Sequence, residues 1–171
     1  MHIIHGTEWD PARKTVLLVG AGERIRREYT VRSIASGYNI LLIDDQEISW
    51  QSPYVTAACT VSSLKGAELW DAADALLAEH AADGVLTYAD YALEDAAELA
   101  RSLGVRYTSA DSVRATRDKH LQRQLLAKAG VRSARSVAAD SLEEAHGAAG
   151  DIGYPVVFKP RNLGMSAGVV R

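Results

Sequence analysis

The 171-residue sequence holds one cysteine, one phenylalanine, two methionines and four prolines. The single Cys59 excludes an internal disulfide framework. Lying within the apolar run YVTAACTV, it reads as a buried thiol rather than a nucleophile. Aromatic residues make up 6%, mostly tyrosine, and lack the spacing of a base-stacking platform. Neither sign of charge dominates: 19 basic against 22 acidic residues leave a net charge of −3. That balance supplies no general attraction to nucleic acid. No apolar run approaches the ~20 residues needed to span a bilayer. The N-terminal MHIIHGTEWDPARK has neither the apolar core nor the cleavage site of a signal peptide. The expectation is a soluble, cytoplasmic protein without nucleic-acid or membrane partners.

Apolar residues, by contrast, are plentiful at 47%. They suffice for the core of one domain, or of one domain plus part of another. TVLLVG (15–20) is a continuous apolar run ending in glycine, the mark of a parallel strand covered on both faces. Gly20-Ala21-Gly22 then turns into a helix over about Glu23–Ser36. NILLIDD supplies the next strand and ends on Asp44 and Asp45. After a loop over Gln46–Tyr54, a short strand is expected in AACTV. An amphipathic helix follows over Gly66–Ala82, then the strand GVLTY, a helix through Leu93–Leu103 closed by Gly104, and a fifth strand, VRYTS. This alternation specifies an α/β fold with a parallel sheet covered on both faces. Such sheets bind ligands beyond the carboxyl ends of their strands. Gly20, Gly22, Glu23, Arg24, Tyr88 and Asp90 are therefore the candidate substrate contacts. Trp50 and Tyr54 either line the same pocket or are ordinary loop aromatics.

The pattern changes near residue 110, which sets expected domains of 1–110 and 111–171. A short helix to about Thr116 is followed by one over Asp118–Ala129 that Gly130 ends. VRSARSVA reads as an edge strand. Ser141-Leu142-Glu143-Glu144 is a capping box that opens a further helix to about Asp151. PVVFKP and GVVR are then expected as two strands joined by RNLGMSA, the first of them buried.

Two motifs invite chemistry. Gly20-Ala21-Gly22 falls short of a dinucleotide fingerprint, because Ile25 stands where glycine or alanine is needed for close helix–strand packing. Asp44 occupies the place of a ribose-binding acid, but solvated strand-end acids are common there. A tight turn explains the glycines, and their amides could still meet an anionic substrate. The second motif is Lys159, delivered by Val156-Val157-Phe158 into a loop with Gly164, Ser166, Ala167 and Gly168. Small residues let backbone amides approach phosphate oxygens while lysine neutralises charge. Arg161 adds a planar donor fork. Taken alone, a strand-end lysine beside an ordinary hairpin fits equally well. Lys119 shifts that balance: a cation in the first turn of a helix is mildly disfavoured unless an anion lies nearby.

RDKHLQRQLLAKAGV, a capped helix and then IGYPVVFKPRNLGMSAGVV resemble, in that order, the start of an ATP-grasp enzyme. The whole chain shares the resemblance. It implies a Rossmann-like pre-ATP-grasp parallel-sheet domain, followed by the first part of an ATP-grasp α+β lobe. The biotin carboxylase-like and amino-acid ligase groups are the most similar, and the glycine-poor loop favours the latter. The implied activity is ATP- and Mg2+-dependent joining of a small-molecule carboxylate to an amine or another nucleophile, through an acyl phosphate. Lys119 would help to hold the nucleotide phosphates, and Lys159 would bind near the adenine and α-phosphate. The loop from Arg161 through Gly164, Ser166 and Ala167 to Gly168 would close over the β- and γ-phosphates. One departure is the loop itself, in which Pro160-Arg161-Asn162-Leu163 replaces the run of glycines in many relatives. The adenine-binding hinge, the metal ligands and the catalytic groups of the family are expected beyond Arg171, so the chain is expected to be an N-terminal fragment that does not turn over ATP. The sequence admits a homodimer without specifying one. Two alternatives stay open: a non-catalytic doubly wound module for a small metabolite, and an NAD(P)-dependent oxidoreductase fragment.

Overall fold

The computed structural model describes residues 2–164 and 166–170. Met165 in the candidate phosphate loop, and Arg171 at the end of the expected strand GVVR, lie outside the described residues. The chain divides into two compact units, residues 1–110 and 111–171.

The first unit is built on a five-stranded sheet in the order β1-β4-β3-β2-β5. Its strands are β1 (Ile3–His5), β2 (Thr15–Val19), β3 (Asn39–Asp44), β4 (Ala57–Thr60) and β5 (Gly84–Thr87). β2 through β5 are mutually parallel, whereas β1 pairs antiparallel with β4, Ile4 opposite Ala58. The sheet is thus mixed, and its edge strand is one that the sequence reading lacks. VRYTS forms no strand; Val105 and Tyr107 nevertheless pack against the core.

Alternate side chains of each strand point to opposite faces, which explains the continuous apolar runs. Leu17, Val19, Leu41 and Ile43 meet α2 (Gly66–Leu77) and α3 (Leu93–Ser102) through Leu69, Ala73, Leu76, Ala96 and Leu99. Leu18, Ile40 and Leu42 face the other way and join Val31 of α1 (Arg24–Ala35). Trp50 and Tyr54 pack, partly buried, against this second cluster, and the Tyr54 hydroxyl donates to Glu28 at 3.2 Å. They act as packing aromatics. The chain runs outward from β2 to β3 and β4, then returns to place β5 on the other side of β2. The topological switch point therefore lies between β2 and β5, where doubly wound sheets open a crevice.

The second unit contains the rest of α4 (Ala110–Arg117), then α5 (Lys119–Lys128) and α6 (Leu142–Ile152). The Asp118 side chain caps α5 by accepting from the amides of His120 and Leu121 at 2.9 and 3.1 Å. Ser141 caps α6 through the Glu144 amide at 3.1 Å. Glu144 reaches back one residue further than a capping box requires, to the Asp140 amide. The expected edge strand VRSARSVA is irregular. The expected strand pair reduces to one antiparallel bridge, Phe158 to Val170, with hydrogen bonds of 2.8 and 2.9 Å. The run before Lys159 is not buried either: Val157 is 54% exposed and Phe158 38%. Among the described residues no wider sheet forms to seal it, and Val156 is only half-buried.

Candidate functional site

A cavity of about 660 Å³ lies within the second unit, inside the range of small-molecule and cofactor sites. Its wall combines apolar side chains, among them Val137, Ala148, Ile152 and Val156, with the cationic Lys119, Arg123, Lys159 and Arg161. Apolar surface suits a planar base, and clustered cations suit phosphates. His120 also lines it, and its Nδ1 is buried without a hydrogen-bond partner among the described residues. A bound polar group could satisfy that atom.

Of the sequence-nominated nucleotide residues, Lys119, Lys159, Arg161 and Gly168 share this cavity; Gly164, Ser166 and Ala167 do not line it. The first residue of α5, Lys119, sends its ammonium to the carbonyls of Leu163 at 2.6 Å and Arg161 at 3.3 Å. Its backbone amide donates to the Arg161 carbonyl at 3.1 Å. The Arg161 guanidinium forks onto the Asp118 carboxylate. That donor pair, with the two amides of the cap, holds the Asp118 carboxyl down at a pKa of about 2. So Arg161, expected to face phosphate, instead tethers the loop to the start of α5. The loop amides are partly engaged too: Ala167 donates to the Gly164 carbonyl at 3.1 Å. Ser166 takes a positive φ of 60°. Gly168 has a positive φ of 67°, and a Cβ there would stand 2.8 Å from Pro160 Cγ, so glycine is needed for this close approach. The sequence reading left out His120 and Arg123. Their three-residue spacing in α5, beside Lys119, is the helical signal that would have found them.

In the first unit, Gly20 and Gly22 take φ of +73° and +77° at the end of β2. A Cβ on Gly20 would come within 3.1 Å of Ala89 Cβ, so the two strand-end loops meet closely at the switch point. The Gly20 amide donates to the Ile43 carbonyl at 2.7 Å, and the Ala21 amide to Asp44 at 3.1 Å. Asp44, 1% exposed, also accepts from Gln51 and from the Gln46 amide. Burial pushes its carboxyl pKa up against these bonds. Asp44 is thus an internal brace of the glycine turn, enclosed where a ribose-binding acid would have to be open. The dinucleotide reading loses its acidic residue. Glu23 precedes α1 without a side-chain cap and pairs with Arg26 at 3.2 Å, while Arg24 pairs with Glu28 at 2.9 Å. Tyr88 follows β5 and stacks under Arg27. Asp90 opens a 3-10 turn over Asp90–Ala92.

In its largely parallel sheet unit followed by a helical unit, the chain resembles the N-terminal portion of ATP-grasp ligases in both sequence and fold. Residues 118–169 match the carbamoyl-phosphate synthase L chain ATP-binding domain family. Alanine–anticapsin ligase of Bacillus subtilis (strain 168) is 32% identical over 88 residues, which cover 52% of this chain and 19% of the ligase. Among solved structures, an ADP complex of N5-carboxyaminoimidazole ribonucleotide synthetase superposes with a TM-score of 0.71 at 19% identity, over 99% of this chain and 42% of the other. The L-amino acid ligase of Bacillus licheniformis gives a TM-score of 0.69 at 20% identity, over 93% and 39%. The chain therefore spans a fifth of the curated relative's length and about two fifths of these structures. Among the described residues, no helix is long and apolar enough to cross a membrane.

Proposed function

We propose that this chain is the N-terminal part of an ATP-dependent carboxylate–amine ligase. In this reading residues 1–110 are the pre-ATP-grasp domain, and residues 111–171 begin the ATP-grasp domain. The observation that carries it is the cavity shared by Lys119 and Lys159, whose lining combines apolar side chains with cations. The nucleotide transfers its terminal phosphoryl group to the substrate carboxylate, leaving ADP, and an amine then attacks the acyl phosphate and expels phosphate.

This chain's own residues bind and position. Lys159, exposed at the cavity, neutralises phosphate charge. Lys119 does so once it exchanges the carbonyls of Arg161 and Leu163 for phosphate oxygens. Arg161, Gly164, Ser166, Ala167 and Gly168 form the loop that closes over the phosphates and excludes water. Gly20, Gly22, Glu23, Tyr88 and Asp90 flank the substrate at the switch point. The described residues offer no group of three His, Cys, Asp or Glu that could hold a metal ion. In this reading magnesium serves the longer protein as a cofactor, and the reaction runs in the cytoplasm. An amino acid is the favoured carboxylate, in keeping with the alanine–anticapsin and L-amino acid ligases that the chain is similar to.

The test incubates the longer protein with ATP, Mg2+ and pairs from a panel of L-amino acids, following ADP, phosphate and the ligated product. The expected result is stoichiometric formation of all three, with no sustained ATP hydrolysis by residues 1–171 alone. Sustained Mg2+-dependent turnover by the 171-residue chain would contradict this division of labour.

A further inference from the structure

Three arginines lie near the start of α1, and their partners differ. Arg24 pairs with Glu28 and Arg26 with Glu23. Arg27 has no carboxylate among the described residues; its guanidinium carbon lies 4.5 Å from the centre of the Tyr88 ring. Its stem runs beside Gly22, where a Cβ would stand 3.2 Å from Arg27 Cγ and 3.8 Å from Nε. Arg27 therefore bridges the loops that follow β2 and β5, the two strands flanking the switch point. Acidic residues are close by, yet they neutralise its neighbours. Tyr88, half-buried, has its hydroxyl pKa pushed up by burial, so it remains a neutral aromatic platform.

Stacking of this kind fixes the plane of a guanidinium and leaves the N–H groups along its edge to donate. A fixed fork matches the two oxygens of a carboxylate, or two of a phosphate, with paired hydrogen bonds. We propose that Arg27 is the recognition group for the oxyanion of a small substrate, a carboxylate or a phosphate, held at the switch point of the first unit. The inference rests on the ligase reading only for which molecule carries the oxyanion; the site itself needs no nucleotide.

The test follows the arginine Nε–H resonances of the 171-residue chain through titrations with acetate, L-alanine and inorganic phosphate, with chloride at matched ionic strength. The Arg27 signal is expected to move along a saturation curve with at least one oxyanion and not with chloride, while that of Arg101, exposed and paired with Glu98 in α3, stays still. The stronger arm, carboxylate or phosphate, names the source of the oxyanion. Arg27→Lys keeps the charge but not the fork, and should weaken binding about tenfold or more; Arg27→Met should abolish it. Backbone resonances of β2 and β3 report whether either variant stays folded. Absence of a saturable Arg27 shift, or equal binding by Arg27→Lys, overturns the proposal. An ATP affinity of the longer protein left unchanged by Lys159→Ala would count against the ligase reading and leave these titrations untouched, so the two fail separately.

Discussion

The two units secure themselves in different ways. In the first, β2 and β3 are nearly sealed on both faces, and their apolar side chains are fully buried from Leu17 to Val19 and from Ile40 to Ile43. Among the described residues of the second, only Val113 and Ala149 are buried, while Leu142, Val157, Leu163 and Val170 are more than half exposed. The second unit relies on side-chain caps and on polar ties: Asp118 under α5, Ser141 under α6, Arg161 on Asp118, and Lys119 on the Leu163 carbonyl. Burial of apolar surface fixes a structure in one arrangement, whereas exposed polar ties exchange readily with water or ligand. Under the proposed function, the first unit holds a rigid crevice and the second rearranges around a bound anion.

The sharpest way to break this contrast is to truncate an apolar residue in each unit. Leu42→Ala, in the sealed sheet, should destabilise by about 2–5 kcal/mol. Leu142→Ala, at an exposed helix start, should stay within about 0.5 kcal/mol. Denaturant unfolding compares them; equal losses would erase the distinction.

A subtler effect concerns the tie between Asp118 and Arg161. The native Asp118 carboxyl should titrate near 2, below its ordinary unfolded value of about 3.9. A depressed native pKa stabilises above the unfolded value, and that contribution is lost as pH falls through about 2. Carboxyl resonances followed against pH should show the low midpoint, and Arg161→Met should move it upward. An unchanged midpoint would show that the helix cap alone holds it.

The smallest expected effect lies in the first unit. Burial pushes the Cys59 thiol up to about 11, so thiolate appears only as pH rises through that value. A thiol reagent at pH 8 should leave the native chain unmodified and label one site after denaturation. Rapid native labelling would mean that the strand β4 opens far more readily than its burial suggests.

The parallel strands β2 to β5 were legible because two-sided burial writes continuous apolar runs into the sequence. The edge strand was not: Ile3–His5 is three residues long, and it is defined by pairing with β4 rather than by any pattern of its own. VVF before Lys159 misled for the opposite reason. An apolar run predicts burial only when a partner covers it, and among the described residues one bridge, to Val170, is all that forms. At the site, the two lysines could be nominated from helix position and loop composition. The Arg161–Asp118 fork could not, since it joins residues 43 apart and exists only in the fold. Arg27 was equally hidden, because its stacking depends on bringing the ends of β2 and β5 together.

The most direct test of a nucleotide site on the second unit is the affinity of the longer protein for ATP with Lys159→Ala. A lost charge-assisted contact to phosphate is worth about 1.5–3 kcal/mol, or roughly 10- to 100-fold in dissociation constant. A weakening of that size is expected, with the fold intact. An unchanged affinity would contradict it.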